Sequence, residues 1–261
     1  MEIKKFFYFL LISFSLLSLE ACITTEYNIA THTQDIYFYS TEKEVNLGRN
    51  VSEAIKKDMP LCKDSLLNKK IWEIGERLVR VCDRREINYY FYIIDKNEKN
   101  AFSIPGGYIY IYKGLLSMLD NDSQIAFVIA HEIAHIVARH SIKRLQASLG
   151  YNLLVLASSQ VKASGNISQI QGISLILATI LSGYSQEDEF LADKLAVEYL
   201  KRADFNPQES VKVLEKLEKA HKKEPLRKIS YFRSHPFIPQ RIRRMKEKLG
   251  LPLEFKDIIN Y

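Results

Sequence analysis

His131-Glu132-Ile133-Ala134-His135 sets two imidazoles four residues apart with a carboxylate beside the first. On an α-helix, positions i and i+4 share one face, one turn apart, so both rings can reach a single metal ion. Glu132 is then rotated by about 100° from His131. It can lean over the open side of the ion without binding it, where a general base for an activated water belongs. At this chain's own residue frequencies, an accidental HExxH is expected in about one such chain in a hundred. The surrounding face carries Ile125, Val128, Ile129, Ile133 and Val137. Imidazoles buried in so apolar a face need something to satisfy them, and a metal ion does so.

A tetrahedral catalytic zinc wants a third protein ligand. The usual short continuation with a third histidine is absent, and His140, five residues on, reads as facing elsewhere. Acids cluster later, at Glu187, Asp188, Glu189 and Asp193. Glu189 and Asp193 share a helix face, and Phe190, Leu191, Ala192 and Ala196 around them predict that part of this helix is buried. One of the two acids can bind the ion while the other accepts the N–H of a ligating histidine and fixes its tautomer. Spacing alone leaves open which does which. His235, between Ser234 and Pro236 and ahead of Pro239, reads as loop.

These residues need a scaffold. The chain has 261 residues, 47% apolar and 26% charged, enough for a real core and unlike a disordered or disulfide-dense chain. Thr41 with Glu44 reads as a capping box, opening a helix to about Met59, where Pro60 stops it. Asp64 caps a second helix with Leu67, Ile71, Ile74, Leu78 and Val81 at helical spacing. Tyr89 to Ile94, and Tyr108 to Tyr112 after Pro105-Gly106-Gly107, read as strands. From Asp122 the pattern is helical: one apolar helix to about Leu149, an apolar pair over about 151–182, a helix from Ser185 to Ala203, and two more opened by Pro207 and Pro239. The fold class is α+β, mostly helical, with a small β-sheet and the HExxH motif on a helix.

The first 21 residues read as a signal peptide, with Lys4 and Lys5 before a short apolar run from Phe6 to Leu19. Leu19-Glu20-Ala21-Cys22 resembles a bacterial lipobox, which makes Cys22 the lipidated residue and 22–40 a lipid-anchored tether ahead of a domain over 41–261. The body is then exported to the bacterial cell envelope and held at a membrane, facing the periplasm or the exterior. Cys62 and Cys82 remain as an even pair, either a disulfide or two buried thiols. The net charge is +6, and residues 201–261 hold sixteen lysines and arginines against eight acids. Acids interleave that basic stretch and the protein is exported, so a basic face near anionic lipid, and still more a solvated helix surface, accounts for it better than nucleic-acid binding does.

HEIAH, followed 54 residues after its second histidine by Glu189-Phe-Leu-Ala-Asp193, resembles the gluzincin metallopeptidases of the HtpX, BepA and CAAX-prenyl-protease family. Asn100-Ala-Phe-Ser-Ile-Pro-Gly-Gly107 with the strand to Tyr112 is similar to the family's NAF-x-x-PGG segment, and His235-Pro236 with Arg241-Ile242 to its late HP…RI motif. Thr41 to Gly48 resembles a segment of its lipoprotein members, and the likeness runs from about residue 40 to 250. Gln186 departs from it, standing where many relatives carry arginine. The resemblance implies one zinc per chain, held by His131, His135 and Glu189, with Glu132 as catalytic base and Asp193 supporting a ligand. It places His235 over the ion, either donating to an oxyanion or occupying the open position. The spanning helices of HtpX and the helical repeats of BepA are not expected.

The implied activity is a zinc metalloendopeptidase cleaving unfolded or misassembled envelope proteins. Gly107, Tyr108 and Tyr110 are expected on an exposed edge strand to which an extended substrate adds. The alternative is a lipid-anchored assembly factor with a structural zinc. Such sites usually close all four positions with Cys and His, and no cysteine lies near the motif.

Overall fold

The computed structural model describes residues 24–158, 176–179, 182–223, 231–255 and 257. The leader, Cys22 and most of the apolar stretch 151–182 lie outside the described residues. In chain order the elements are β1 (Thr24–Asn28), β2 (Thr33–Tyr37), α1 (Thr41–Asp58), α2 (Ser65–Val79), β3 (Tyr90–Ile94), β4 (Ala101–Ile104), β5 (Tyr108–Tyr112) and α3 (Lys113–Leu116). Then come α4 (Asp122–Val137), α5 (His140–Ser158), α6 (Gln186–Arg202), α7 (Glu209–Lys223), α8 (Tyr231–Ser234) and α9 (Ile238–Leu249). The fold is α+β and mostly helical.

The core is built around α4. From Gln124 to Val137 every residue of this helix is buried. α4 packs on α6, α2 and α7, and on β4 of the sheet. An amphipathic helix would leave one face in water; α4 has none, which its near-continuous apolar sequence dictates. Its N-terminus is capped by Asn121, whose Oδ1 accepts from Gln124 N at 3.0 Å. Gln124 and Asn121 in turn donate to Glu209 Oε2 at 2.7 and 3.1 Å, tying α4 to the first turn of α7.

The three-stranded sheet runs β3-β5-β4, with β3 parallel and β4 antiparallel to β5. Gly106 and Gly107 turn β4 into β5 at φ 78° and 93°. A Cβ on Gly107 would stand 2.0 Å from the Asn88 carbonyl oxygen, so only glycine fits there. β5 is therefore the central strand. The expectation that it forms an exposed edge is corrected: all five residues from Tyr108 to Tyr112 are buried. Among the described residues, β4 is the strand with one unpaired edge beside α4.

The helix expected from Asp122 to Leu149 breaks after Val137 and bends by 48°. Arg139 sits at the break with φ 56°. Its guanidinium stacks on Tyr37 at 3.9 Å, donates to the Tyr39 carbonyl at 2.8 Å, and pairs with Glu44 at 2.9 Å and with Glu26. Those fixed partners lie off the line of a straight helix, and holding them costs one left-handed residue. Among the described residues no single helix is long and apolar enough to cross a membrane, although the bent pair Asp122–Val137 and His140–Leu149 passes that test together.

Two further differences, and one alternative left open by the sequence, concern the chain before residue 85. Residues 24–37, assigned to a tether, form the antiparallel β1–β2 hairpin, which docks through buried Asn28 and Tyr37. α1 is capped by Ser40, accepting from Lys43 N at 3.4 Å, not by Thr41. Glu44 cannot close the capping box because Arg84 holds both its oxygens at 3.0 Å in a buried pair. Cys62 and Cys82 are free, buried thiols.

Candidate metal centre

Four elements converge. α4 brings His131, Glu132 and His135; α6 brings Glu189 and Asp193; the end of α8 brings His235; α9 brings Arg241. Ser185 starts α6 with a full capping box to Asp188, which fixes the register that turns Glu189 and Asp193 inward. His131, Glu132, His135, Glu189, His235 and Arg241 have no exposed surface, and Asp193 is buried.

One ligand atom each from His131, His135, Glu189 and His235 lies within 4.8 Å of the others. His131 Nε2 is 3.0 Å from His135 Nε2 and 3.2 Å from His235 Nδ1. Glu189 Oε1 is 3.5 Å from His135 Nε2 and 3.0 Å from His235 Nδ1, and Oε2 is 3.4 Å from His131 Nε2. Three imidazole nitrogens facing one another cannot all be satisfied by ring protons. A cation between them satisfies all three and the carboxylate together. Imidazole and carboxylate are the donors that a divalent transition metal takes, so these residues fit such an ion.

Electrostatics favour the same conclusion. Burial and the Arg241 charge oppose protonation of His131, yet Asp193 and Glu189 raise its pKa to about 9. The two carboxylates thus favour a positive charge at His131, while burial holds the His135 ring neutral, with its pKa well below the ordinary value. Burial pushes Glu189 up, but Arg241, His235, His131 and His135 outweigh it and hold the carboxyl well below its ordinary range. Burial also opposes ionisation of Asp193, and Arg241 with His131 again lowers it.

The neighbours fix each ring. Asp193 Oδ1 is 3.0 Å from His131 Nδ1, so the proton sits on Nδ1 and Nε2 faces the cluster. His135 Nδ1 is 2.8 Å from His140 Nδ1, and His140 Nε2 is 3.2 Å from Asp188 Oδ1. His140 therefore does not face elsewhere: the break at Arg139 swings it back onto His135. Burial, the largest influence, lowers its pKa to about 4 against the pull of Asp188, and the ring is neutral. Tyr184 stacks on His135 at 3.8 Å and Tyr231 on His235 at 4.3 Å.

Glu132 does not join the four converging atoms. Its Oε2 accepts from Ser103 Oγ on β4 at 2.9 Å. Its Oε1 lies 3.2 Å from His235 Nε2, and neither atom has a hydrogen bond. The carboxylate is held at the side of the cluster with one oxygen unspent, which suits a proton acceptor.

Two residues carry weight that was not assigned to them from the sequence. Arg241 grips Asp193 through Nε and Nη2, both at 2.7 Å, and Glu189 through Nη1 at 2.6 Å. The resemblance places it in the HP…RI motif without a role, and its type and spacing alone do not separate it from the other fifteen basic residues of its region. His140 was visible only as a histidine off the i, i+4 face. Gly107, Tyr108 and Tyr110 do not join the cluster. Tyr110 packs between Tyr92 and Phe102 and bonds Ser52 Oγ at 2.7 Å, so it serves the core.

Residues 65–249 match Peptidase family M48. The beta-barrel assembly-enhancing protease of Escherichia coli is 30% identical over 189 residues, covering 68% of this chain and 38% of that protein. Metalloprotease LoiP of the same organism is 30% identical over 183 residues, 70% of each chain. Mitochondrial metalloendopeptidase OMA1 of Saccharomyces cerevisiae is 34% identical over 153 residues, 58% of this chain and 43% of that one. The chain spans well under half the length of the assembly-enhancing protease it matches. The matched span contains the whole cluster, from Glu132 with its Ser103 partner on β4 to Arg241 on α9, and on that ground the chain belongs to Peptidase family M48.

Proposed function

We propose that this protein is a zinc metalloendopeptidase of the bacterial cell envelope that hydrolyses unfolded or misassembled proteins, held at the membrane by a lipid on Cys22. The observation that carries the catalytic reading is the split between four converging ligand atoms and a fifth buried group, Glu132, set beside them. In this reading His131, His135 and Glu189 bind the zinc. The zinc supplies Lewis acidity, lowering the pKa of a water and polarising the scissile carbonyl.

The residues of the chain do the rest. Glu132 accepts the water's proton at Oε1 and later returns it to the leaving amine. Ser103 keeps the carboxylate in place through Oε2. Asp193 holds His131 in one tautomer, and Arg241 offsets the charge of the two α6 carboxylates. The unpaired edge of β4 lies on the Glu132 side, but all four of its residues are buried, so an extended substrate could pair with its backbone only once that edge is uncovered. Pairing through the main chain reads extended conformation more than side chains, which suits unfolded substrates.

His235 is assigned to the resting state. Its Nδ1 is one of the four converging atoms and its Nε2 faces the base at 3.2 Å. With that ring in place the space among the ligand atoms and in front of Glu132 Oε1 is filled, so the ring would have to swing aside before a substrate could reach the base. Once displaced, it can donate to the oxyanion of the tetrahedral intermediate.

The test pairs elemental analysis with digestion of an unfolded protein. The wild type is expected to carry about one zinc per chain and to cleave. Glu132→Gln is expected to keep the metal and lose proteolysis, because base and ligand roles are separate. Retained cleavage by Glu132→Gln refutes the assignment, and metal binding without cleavage by the wild type favours a zinc-stabilised assembly factor.

A further inference from the structure

The β1–β2 hairpin is amphipathic in the wrong sense for a protein in water. Its register pairs Thr25 with Ile36 and Tyr27 with Gln34, and places Glu26 opposite Asp35. Side chains alternate between the two faces of a strand pair. The face with Glu26, Asn28, Asp35 and Tyr37 is turned to the protein body. Glu26 pairs with Arg139, Asp35 with Lys143 at 2.7 Å, and Asn28 with Asp35 at 2.6 Å, while Tyr37 lies under the Arg139 guanidinium. The face turned away carries Tyr27, Ile36 and, just past β2, Phe38, which are 54%, 60% and 49% exposed.

A hairpin packing on a core for the hydrophobic effect would bury those three and leave the acids outside. Here the acids are consumed inward and the apolar side chains are left out. Five of the ten large apolar side chains exposed among the described residues lie here: these three, Ile29 in the turn, and Leu149 one turn beyond Gln146 on α5. Gln146 itself joins the hairpin, accepting from Phe38 N at 3.1 Å and donating to the Ile36 carbonyl at 3.3 Å. These two bonds tie β2 and Phe38 to α5, on which Leu149 stands one turn further along.

We infer that this face is a membrane-contacting surface that seats the outward side of the hairpin in the interfacial layer of a lipid bilayer. The occupant follows from chain length. Only residues 23 and 24 separate Cys22 from Thr25, and three steps of extended chain span at most about 10 Å. A lipid on Cys22 therefore forces the hairpin against the bilayer surface. A tyrosine, a phenylalanine and isoleucines match what that layer takes up. The charged docking face then transmits the seating to Arg139, at the end of the helix that carries His131 and His135. The inference rests on the lipidation reading of Cys22.

The test uses the full processed chain reconstituted in vesicles of phosphatidylethanolamine and phosphatidylglycerol containing a brominated phosphatidylcholine. Trp72 is the sole tryptophan, lies on α2 outside the hairpin and is 54% exposed, so its quenching in the wild type is the reference. Phe38→Trp and Ile36→Trp are each made in a Trp72→Phe background, with zinc content verified so that misfolded samples are discarded. Brominated lipid is expected to quench the emission of each introduced indole at least twofold more than it quenches Trp72 in the wild type, and aqueous iodide to do the reverse. Iodide quenching equal to that of Trp72, with no effect of brominated lipid, overturns the inference. Shielding from both quenchers also overturns it and assigns the face to a second copy of the chain. Mass spectrometry of the Cys22 peptide separates the two readings. An unmodified Cys22 on a chain that does not bind vesicles refutes lipidation, and the inference falls with it. A lipidated Cys22 with an iodide-accessible hairpin refutes the inference alone.

Discussion

His140 Nδ1 stands 2.8 Å from His135 Nδ1, on the far side of the ring from the converging nitrogens. The ring nitrogen of His135 that faces the cluster can offer a lone pair only if its other nitrogen carries the proton. His140 accepts that proton's hydrogen bond, and its own Nε2 then donates to Asp188 Oδ1 at 3.2 Å. Asp188 also closes the capping box of α6, the helix that supplies Glu189. One chain of hydrogen bonds thus links the orientation of two proposed ligands.

His140→Ala is expected to weaken zinc binding by ~10- to 100-fold, the usual cost of losing an outer partner of a ligating histidine. His140→Gln, which keeps an acceptor near the same place, is expected to recover part of it. Competition titration with a chromophoric chelator measures both. Equal zinc affinity in His140→Ala and the wild type would show that the chain of bonds does not bear on the metal.

Removing Glu189 is expected to cost more zinc affinity than removing Asp193, since a direct ligand outweighs the residue that orients one. Arg241→Ala is expected to fall closer to Asp193→Ala, because it strips the partner from both acids without deleting a ligand atom. Elemental analysis after dialysis gives the ranking. The order Asp193 before Glu189 would mean that the two carboxylates have exchanged roles.

His235→Ala is expected to raise cleavage of an unfolded substrate while leaving zinc bound through the other three residues. The reason is geometric: the ring stands among the ligand atoms and against Glu132 Oε1. Turnover that drops by ~100-fold instead would make stabilisation of the oxyanion its dominant role. Unchanged turnover and unchanged zinc affinity would return His235 to packing.

Glu209 supplies a pH-dependent contribution to stability. Burial raises its pKa, but Lys212, Gln124 and Asn121 outweigh this and lower it to about 2. A carboxyl depressed in the folded state stabilises the fold above its unfolded pKa of roughly 4.3, and that contribution disappears as the pH falls through about 2. Glu209→Gln is expected to lose ~1–2 kcal/mol at neutral pH, since Gln124 and Asn121 at the start of α4 would lose their charged acceptor. The gap to wild type in urea melts should close between about pH 4 and about pH 2. A gap constant over that window would rule out Glu209 as the source.

Local pattern alone was enough to read several features of this protein. The i, i+4 spacing of His131 and His135 puts two rings on one face wherever a helix forms, and the apolar run around them leaves that helix little choice but burial. Asp64 and Pro239 announce helix starts because caps and first-turn prolines act through neighbouring backbone groups. The same reasoning gave two acids on one face of α6 and a small sheet in a helical domain.

What local pattern could not decide was set by partners distant in sequence. β5 carries the alternation of a half-exposed strand, yet it is central because β3 and β4 pair on either side of it, and pairing leaves no mark on the strand itself. The HExxH helix stops at Val137 because Arg139 answers to Glu26, Tyr39 and Glu44, residues about a hundred positions away. That same break turns His140 onto His135. Arg241 belongs to the HP…RI motif, but its role emerges only where α9 packs beside α6 and two buried carboxylates meet its guanidinium. The residue types were fixed by sequence, but which of them share a site, and which face of the N-terminal hairpin is left outside, was decided by tertiary packing.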